Sequence, residues 1–198
     1  MENNLLKDIK QILINRSTNN IFKDMNDIDL LKYLNLYNSI DSILLFGKEE
    51  EFVKTFPYYK IIVTSLVDNN KIELKTNIIE SYNKLMMILK KYTNDIFYLE
   101  DDRSISIRNI IISILIINIL LHYDYNNSYP LEVTITKDKI ITKSINKEVS
   151  NVVFNLFKEI GLINEDYSIN KFIKYSKIYS SKEPTIINEK IYSITLHI

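Results

Sequence analysis

Residues 108–123 read RNIIISILIINILLHY, and this stretch decides what kind of fold the chain forms. Its apolar part runs from residue 110 to residue 121 and is interrupted by Ser113 and Asn118. A membrane-spanning helix needs about 20 mostly apolar residues to cross about 30 Å of hydrocarbon. Because this stretch is shorter and has charged residues on both sides, we expect no membrane span.

A polar stripe along the same region favours a helix buried inside the protein. Asp102, Ser106, Asn109 and Ser113 follow the spacing i, i+4, i+7 and i+11, which places them on one side of a helix. The other sides are apolar, as is typical of a helix that the rest of the fold encloses. We therefore predict a central buried helix over residues 102–123.

The composition predicts a folded intracellular protein without a strong overall charge. Of the 198 residues, 46% are hydrophobic, and 25 basic residues balance 25 acidic ones. A net charge of zero does not attract nucleic acid or an anionic membrane. The chain is cysteine-free, which excludes disulfides and thiolate metal sites. No apolar segment of a secretory signal follows the start, so we predict a cytoplasmic location.

Amino-acid usage indicates an AT-rich genome, because Ile, Asn, Lys and Tyr are abundant while glycine and proline are scarce. The 14 tyrosines are therefore not evidence of a base-stacking surface.

Hydrophobic periodicity predicts helices in the first part of the chain, over residues 5–13, 27–47, 48–56 and 78–92. Gly47 is expected to end the second of these helices in the left-handed conformation. Two acidic patches are expected to lie at helix N-termini, where the helix dipole favours negative charge: Glu49 to Glu51, and Asp101 with Asp102. Residues 58–67 are apolar and β-branched, and periodicity does not decide between strand and helix.

The period changes after Pro130. LEVTIT (131–136) and KIITKSI (139–145) predict a β-hairpin. Two helices follow, the first ended by Gly161, and a second hairpin closes with IYSITLHI at 191–198. The predicted fold class is α+β: a mainly helical N-terminal two-thirds with a central buried helix, then a C-terminal segment with two β-hairpins and two helices.

We divide the chain into a helical region, 1–100, and an α+β region, 101–198, that packs on the central helix 102–123. One continuous domain is the alternative.

Catalytic and cofactor-binding motifs are absent from the sequence. A phosphate-binding loop needs clustered glycines, and the chain has only two, far apart. Its two histidines, His122 and His197, have no neighbours at metal-ligand spacing. We predict no catalytic, cofactor-binding or metal-binding residue, no cofactor, and a protein that is not an enzyme.

Two groups of residues are candidates for binding a partner. The densest aromatic group is expected to form either a protein interface or a hinge packed between the two halves; it comprises Phe46, Phe52, Phe56, Tyr58 and Tyr59. Three lysines share one side of the penultimate helix: Lys171, Lys174 and Lys177. They could contact phosphates, although we favour a solvated face over a nucleic-acid surface.

The order of elements in the second half resembles the ATPase domain of sensor histidine kinases and of histidine phosphotransferases with degenerate ATPase domains. IIISILIINILLHYDYNN (110–127) matches the helix that carries the N-box, LEVTITKDKIITKSI (131–145) the strand pair, and IYSITLHI (191–198) the last strand. Asn118 would be the N-box asparagine, and the glycine-rich boxes are missing. The resemblance implies a regulator that lacks the catalytic residues of the family.

The preferred hypothesis is a non-enzymatic intracellular protein that acts through contacts with another protein, as an adaptor, regulator or structural component. A homodimer is included among the expected assemblies. The first alternative is a degenerate histidine-kinase-like or phosphotransfer regulator. The second is a nucleic-acid-binding accessory protein that uses the lysine face.

Overall fold

The structure is a computed structural model that describes residues 3–17, 20–149, 151–163 and 167–198. Its helices are α1 (Asn3–Arg16), α2 (Asp27–Tyr33), α3 (Ile40–Phe46), α4 (Glu49–Thr55), α5 (Ile78–Lys90), α6 (Ile107–Leu121), α7 (Asn151–Glu159) and α8 (Ile169–Ser180). Its strands are β1 (Ile61–Ser65), β2 (Asn70–Leu74), β3 (Phe97–Glu100), β4 (Arg103–Ser106), β5 (Leu131–Ile135), β6 (Lys139–Ile145), β7 (Thr185–Asn188) and β8 (Ile191–His197). A single 3-10 turn, Asn20–Phe22, follows α1.

A six-stranded mixed sheet forms the centre of the fold, in the order β2-β1-β5-β6-β8-β7. β1 and β5 are parallel, and the other neighbouring pairs are antiparallel. Residues along β1 and β5 alternate between buried and half-buried, so one face of the sheet lies in the core. β3 and β4 form a separate two-stranded sheet.

The central helix α6 is confirmed as a buried element, with ten of its fifteen residues buried. It begins at Ile107 rather than at 102, because Arg103–Ser106 pair with β3. The Ser106 hydroxyl accepts a hydrogen bond from the Asn109 amide and caps the helix. Among the helices of the described residues, none has the length and apolar character needed to cross a membrane.

The α+β class is confirmed, but the predicted layout is wrong. The first two-thirds of the chain contains four strands, and β1 pairs with β5, which lies about 70 residues later. The two C-terminal hairpins are not separate units, because β6 pairs with β8 and joins them in one sheet. A five-residue run such as β1 is too short to show a clear period, so its sequence does not decide between strand and helix. Its pairing with another strand decides its conformation.

The long helix predicted over 27–47 is two helices, α2 and α3. The chain turns between them at Asn35 and Asn38, which adopt positive φ values of 57° and 54°. The Leu36 and Tyr37 amides both donate to the Leu31 carbonyl, which closes this turn. Apolar residues keep helical spacing on both sides of the turn, so periodicity alone predicted one continuous helix. The two asparagines allow the turn, because Asn adopts positive φ more readily than most residues.

Different structural features explain why glycine occupies positions 47 and 161. Gly161 has the left-handed conformation expected after a helix, with φ of 79°. Gly47 does not, since its φ of −61° and ψ of 140° are extended. A Cβ at Gly47 would lie 2.5 Å from the Ile43 carbonyl oxygen, so close packing on the preceding helix turn explains this glycine.

Candidate functional site

The β3–β4 hairpin is the candidate functional site. Its two strands are joined by a tight turn in which Asp101 and Asp102 have positive φ values of 48° and 60°. Positive φ at both central residues is typical of the turn that matches the twist of a two-residue hairpin. The expectation that these aspartates lie at the N-terminus of the central helix is therefore wrong. The other acidic patch, Glu49–Glu51, does lie in the first turn of α4.

The inner face of the hairpin is attached to α8 through Glu100. Its two carboxylate oxygens accept hydrogen bonds from the Lys174 ammonium and the Tyr175 hydroxyl, each at 2.5 Å. These donors stabilise the charged carboxylate, so they lower the pKa of Glu100, with Lys174 contributing most. On the same face, Tyr98 and Ile105 are paired across the strands and pack against the core.

The base of the hairpin is held by a second polar group. The Asp95 carboxylate accepts from the Arg108 guanidinium at 3.0 Å and from the Ser106 hydroxyl at 2.8 Å. The Tyr179 hydroxyl of α8 donates to the Asn94 carbonyl at 2.9 Å. These contacts and those of Glu100 fix the hairpin to α6 and α8, so its outer face has a defined orientation.

The outer face of the hairpin carries Phe97, Leu99 and Ser104, together with Ser106 at its base. Phe97 is 79% exposed and Leu99 is 54% exposed, and Phe97 has the largest exposed fraction among the large apolar residues that the structure describes. Ser104 lies opposite Leu99, so both point to the same side of the two strands. Contiguous exposed apolar side chains, especially with polar residues around them, are typical of interaction sites. This hairpin presents two apolar side chains.

The aromatic group proposed as an interface from the sequence is mostly in the core. Phe46, Phe52, Phe56 and Tyr59 are buried, whereas Tyr58 is 59% exposed. On the surface of this fold, a partner could therefore contact only Tyr58 of this group.

Tyr59 belongs to a tyrosine cluster, which comprises Tyr59, Tyr123 and Tyr125. The Tyr59 ring stacks on Tyr125 with centroids 5.6 Å apart and meets Phe52 edge to face at 4.9 Å. The Tyr59 hydroxyl forms a hydrogen bond with the Ser81 hydroxyl at 2.9 Å. Burial raises the pKa of Tyr59 well above its usual value.

On the lysine face, which could contact phosphates but was expected to be solvated, Lys174 and Lys177 pair with carboxylates of the chain. Lys174 contacts Glu100, and the Lys177 ammonium lies 2.9 Å from a Glu183 carboxylate oxygen. Lys171 lies in the first turn of α8, where its amide donates to the capping Ser168 hydroxyl. Binding of nucleic acid through this face stays a prediction.

The structure also places the asparagine matched to the N-box. The Asn118 side-chain amide donates to the Ile114 carbonyl of its own helix at 2.8 Å. Its oxygen lies 3.5 Å from the Tyr192 hydroxyl on β8. Asn118 therefore makes contacts within α6 and between α6 and the sheet.

A cavity of about 350 Å³ is lined by α5 and α6 together with Gly161, Leu162 and Tyr167. Tyr82 and Ser113 form a hydrogen bond of 2.9 Å in its wall, and Lys90 is among its lining residues. The polar stripe that contains Ser113 is visible in the sequence, but its contact with α5 is not, because that contact depends on how two helices distant in sequence pack.

The sequence contains a weak local signal for the β3–β4 hairpin. FYLE and RSIS flank two acidic residues, which is the pattern of two short strands around a two-residue turn. Its strands have only four residues each, so their alternation is weak evidence by itself.

The fold and site define an α+β protein with a mixed sheet and an external hairpin. It is similar to the DIP2311 protein from Corynebacterium diphtheriae, known from a crystal structure, with a TM-score of 0.62 and 15% sequence identity. The match covers 98% of this chain and 45% of that protein, so the chain spans less than half of its length. At this identity the similarity shows a shared fold alone. A scan against protein-family models and a search of the curated proteins each gave no match.

Proposed function

We propose that this chain is a non-enzymatic protein that binds another protein through the outer face of the β3–β4 hairpin. The observation that supports the proposal is the exposure of Phe97 and Leu99 on a hairpin whose opposite face is fixed to the core. Aromatic side chains are enriched at the centres of protein interfaces, where a few buried residues contribute most of the affinity. A rigid hairpin loses little conformational freedom on binding, which favours affinity.

The charges around the hairpin indicate the chemistry of the partner. Asp101, Asp102 and Arg103 are exposed at the turn, and two carboxylates against one guanidinium leave a net charge of −1. Asp95 and Glu100 already have basic partners within the chain. The matching surface on the partner is an apolar patch flanked by lysine or arginine, because complementary charge favours encounter and orientation.

Site-specific photo-crosslinking tests this proposal. Phe97→p-benzoylphenylalanine places the reactive group at the centre of the outer face. Met87→p-benzoylphenylalanine is the matched control, since Met87 is 67% exposed on α5 and lies outside the hairpin. After irradiation in the source cells, we expect a covalent product with one partner protein from position 97 and none from position 87. Equal products from both positions, or only a covalent dimer of this chain, would overturn the proposal.

A second candidate is a histidine-kinase-like regulator without catalytic residues. The order α6, β5–β6, α7, α8, β7–β8 is the order that the resemblance implies, which favours this candidate. A ligand that binds only the folded state raises Tm, so a rise on adding magnesium and ATP would support nucleotide binding. Because Asn118 is engaged within the core, we expect no such rise. A cytoplasmic location also stays a prediction of the sequence.

A further inference from the structure

His122 lies at the junction between the end of α6 and the sheet. Its amide donates to the Asn118 carbonyl and caps α6, and its own carbonyl accepts from the Lys147 amide at 2.9 Å, just after β6. Its ring stacks on the Tyr192 ring of β8, with centroids 4.2 Å apart and an angle of 18° between the planes. His122 therefore joins the central helix to two neighbouring strands of the sheet.

The same junction holds the turn between β7 and β8 through Asn146, which lines one cleft with His122 and Asn188. The Asn146 side-chain amide donates to the Asn188 side-chain oxygen at 2.7 Å and to the Glu189 carbonyl at 2.8 Å. The Asn146 backbone amide donates to the Lys190 carbonyl at 3.1 Å. The His122 ring therefore lies where the ends of β6, β7 and β8 are held together.

The environment of the ring favours its neutral form. His122 is half-buried, and its Nδ1 atom is buried without a hydrogen-bond partner among the described residues. A neutral ring can keep its proton on Nε2, whereas a charged ring carries protons on both nitrogens, so protonation would bury an N–H donor that has no acceptor. Burial lowers the pKa of His122, and Asn146 and Lys147 beside the ring raise it by less.

The charged groups nearby do not stabilise a charged ring. No carboxylate of the described residues forms an ion pair with His122, and Lys147 is already paired with Asp124 at 3.5 Å. Burial raises the pKa of Tyr192, so the phenol stacked on His122 is neutral. The titratable groups on the segments packed against the ring are Asp124, Lys147, Glu148, Glu189, Lys190 and Tyr192.

We propose that His122 is an acid-sensitive joint: protonation of its ring weakens the attachment of this end of α6 to β6 and β8. The folded state lowers the pKa of His122 below the value near 6.5 of an unfolded chain. The stabilisation of the fold by the neutral ring is therefore complete above about pH 6.5 and is lost as the pH falls through the folded-state value. The joint and the β3–β4 hairpin lie at opposite ends of α6, about 22 Å apart, so either proposal can fail without the other.

An NMR titration of the histidine Cε1–H signals tests the protonation step. The chain has only two histidines, so the variant His197→Gln leaves the signal of His122 alone. We expect this signal to titrate with a midpoint below about pH 6.5, the ordinary value for histidine. A midpoint at or above that value would overturn the proposal.

Hydrogen exchange of the Asn146 and Lys147 backbone amides tests the loosening of the joint. Between pH 7 and pH 5, we expect their protection factors to fall in the wild type by up to about tenfold per pH unit, because one proton is bound. His122→Phe keeps an aromatic ring against Tyr192 and cannot be protonated, so its protection should not change with pH. His122→Asn is a second uncharged variant with the same expected result, and His197→Gln should behave as the wild type. Constant protection in the wild type, or an equal fall in the wild type and both His122 variants, would overturn the proposal.

Discussion

The tyrosine cluster and the β3–β4 hairpin use the same kinds of residue in opposite environments. In the cluster, Tyr59 is buried among other rings, and Phe52 next to it is fully buried. In the hairpin, Phe97 is mostly exposed while polar contacts hold the strands to α6 and α8. The density of aromatic residues in a sequence therefore does not distinguish a buried core from an exposed surface.

The difference arises from what packs against each segment. The chain around Tyr59 meets Tyr123 and Tyr125, which follow the end of the central helix, and these rings close over it. The β3–β4 hairpin is a separate two-stranded sheet, and Phe97 and Leu99 on its outer face stay largely exposed. We propose that the tyrosine cluster stabilises the fold and that the outer face of the hairpin binds a partner.

The largest expected difference is between Phe52→Ala and Phe97→Ala. Removing a fully buried ring leaves a cavity, so Phe52→Ala should lower the free energy of unfolding by about 3–5 kcal/mol. Phe97→Ala should change it by no more than about 0.5 kcal/mol, because the ring is mostly in water. Urea unfolding followed by circular dichroism measures both. Similar losses in the two variants would mean that Phe97 is a core residue.

A smaller effect is expected from Tyr59→Phe, which removes the hydrogen bond to Ser81 at the cost of about 1 kcal/mol at neutral pH. The free energy of unfolding of this variant should also fall less steeply at alkaline pH than that of the wild type. Burial raises the folded-state pKa of Tyr59 above the value near 10 of an unfolded chain. The stabilisation of the fold by the protonated phenol is therefore complete below pH 10 and is lost as the pH rises further.

The measurement is the free energy of unfolding between pH 8 and pH 11.5. The wild type should lose up to about 1.4 kcal/mol more per pH unit than Tyr59→Phe once the pH exceeds about 10. Tyr58→Phe is the matched control, since the neighbouring ring is 59% exposed and should leave the slope unchanged. Identical slopes in wild type and Tyr59→Phe would contradict the buried assignment of Tyr59.

The smallest expected effect is local and concerns Glu100→Gln. The amide cannot form the ion pair with Lys174, so hydrogen exchange of β3 and β4 should become faster while the six-stranded sheet is unchanged. Glu183→Gln is the control, because it removes the ion pair of Lys177 on the same helix without touching the hairpin. Equal exchange in the two variants would show that Glu100 does not hold the hairpin.

The same contact should depend on pH in the wild type. Hydrogen bonds lower the pKa of Glu100 below its usual value near 4.3, so the contact is complete above that pH. It is lost as the pH falls through the lower folded-state value. Faster exchange of the hairpin is therefore expected only in acid, and loss of protection already at neutral pH would contradict the ion pair.

The sequence predicted elements whose signal is local. α5, α7 and α8 each carry an apolar face with helical spacing. The helix predicted over residues 78–92 is α5, and the one predicted to end at Gly161 is α7. β5 and β6 are also correct, because two β-rich runs surround a short polar turn. These elements need no information about the rest of the fold.

The features that the sequence left open or did not predict depend on distant partners. β1 becomes a strand through parallel pairing with β5, and nothing within its five residues indicates that partner. The exposed face of the hairpin likewise follows from the packing of its other face on α8. Aromatic density consequently pointed to Phe52 and Tyr59, while the exposed Phe97 and Leu99 were not identified.

Affinity purification with paired variants tests the proposed function most directly. The wild-type chain, Phe97→Ser/Leu99→Ser and the control Met87→Ser would be used as baits in the source cells, with a wash at ~0.5 M salt, where charge screening falls to about 4 Å. We expect one stoichiometric protein to remain bound to the wild type and to Met87→Ser, and to be absent from the hairpin variant. Equal retention by all three baits, with the hairpin variant folded as the wild type is, would contradict the proposal that the outer face of the hairpin binds the partner.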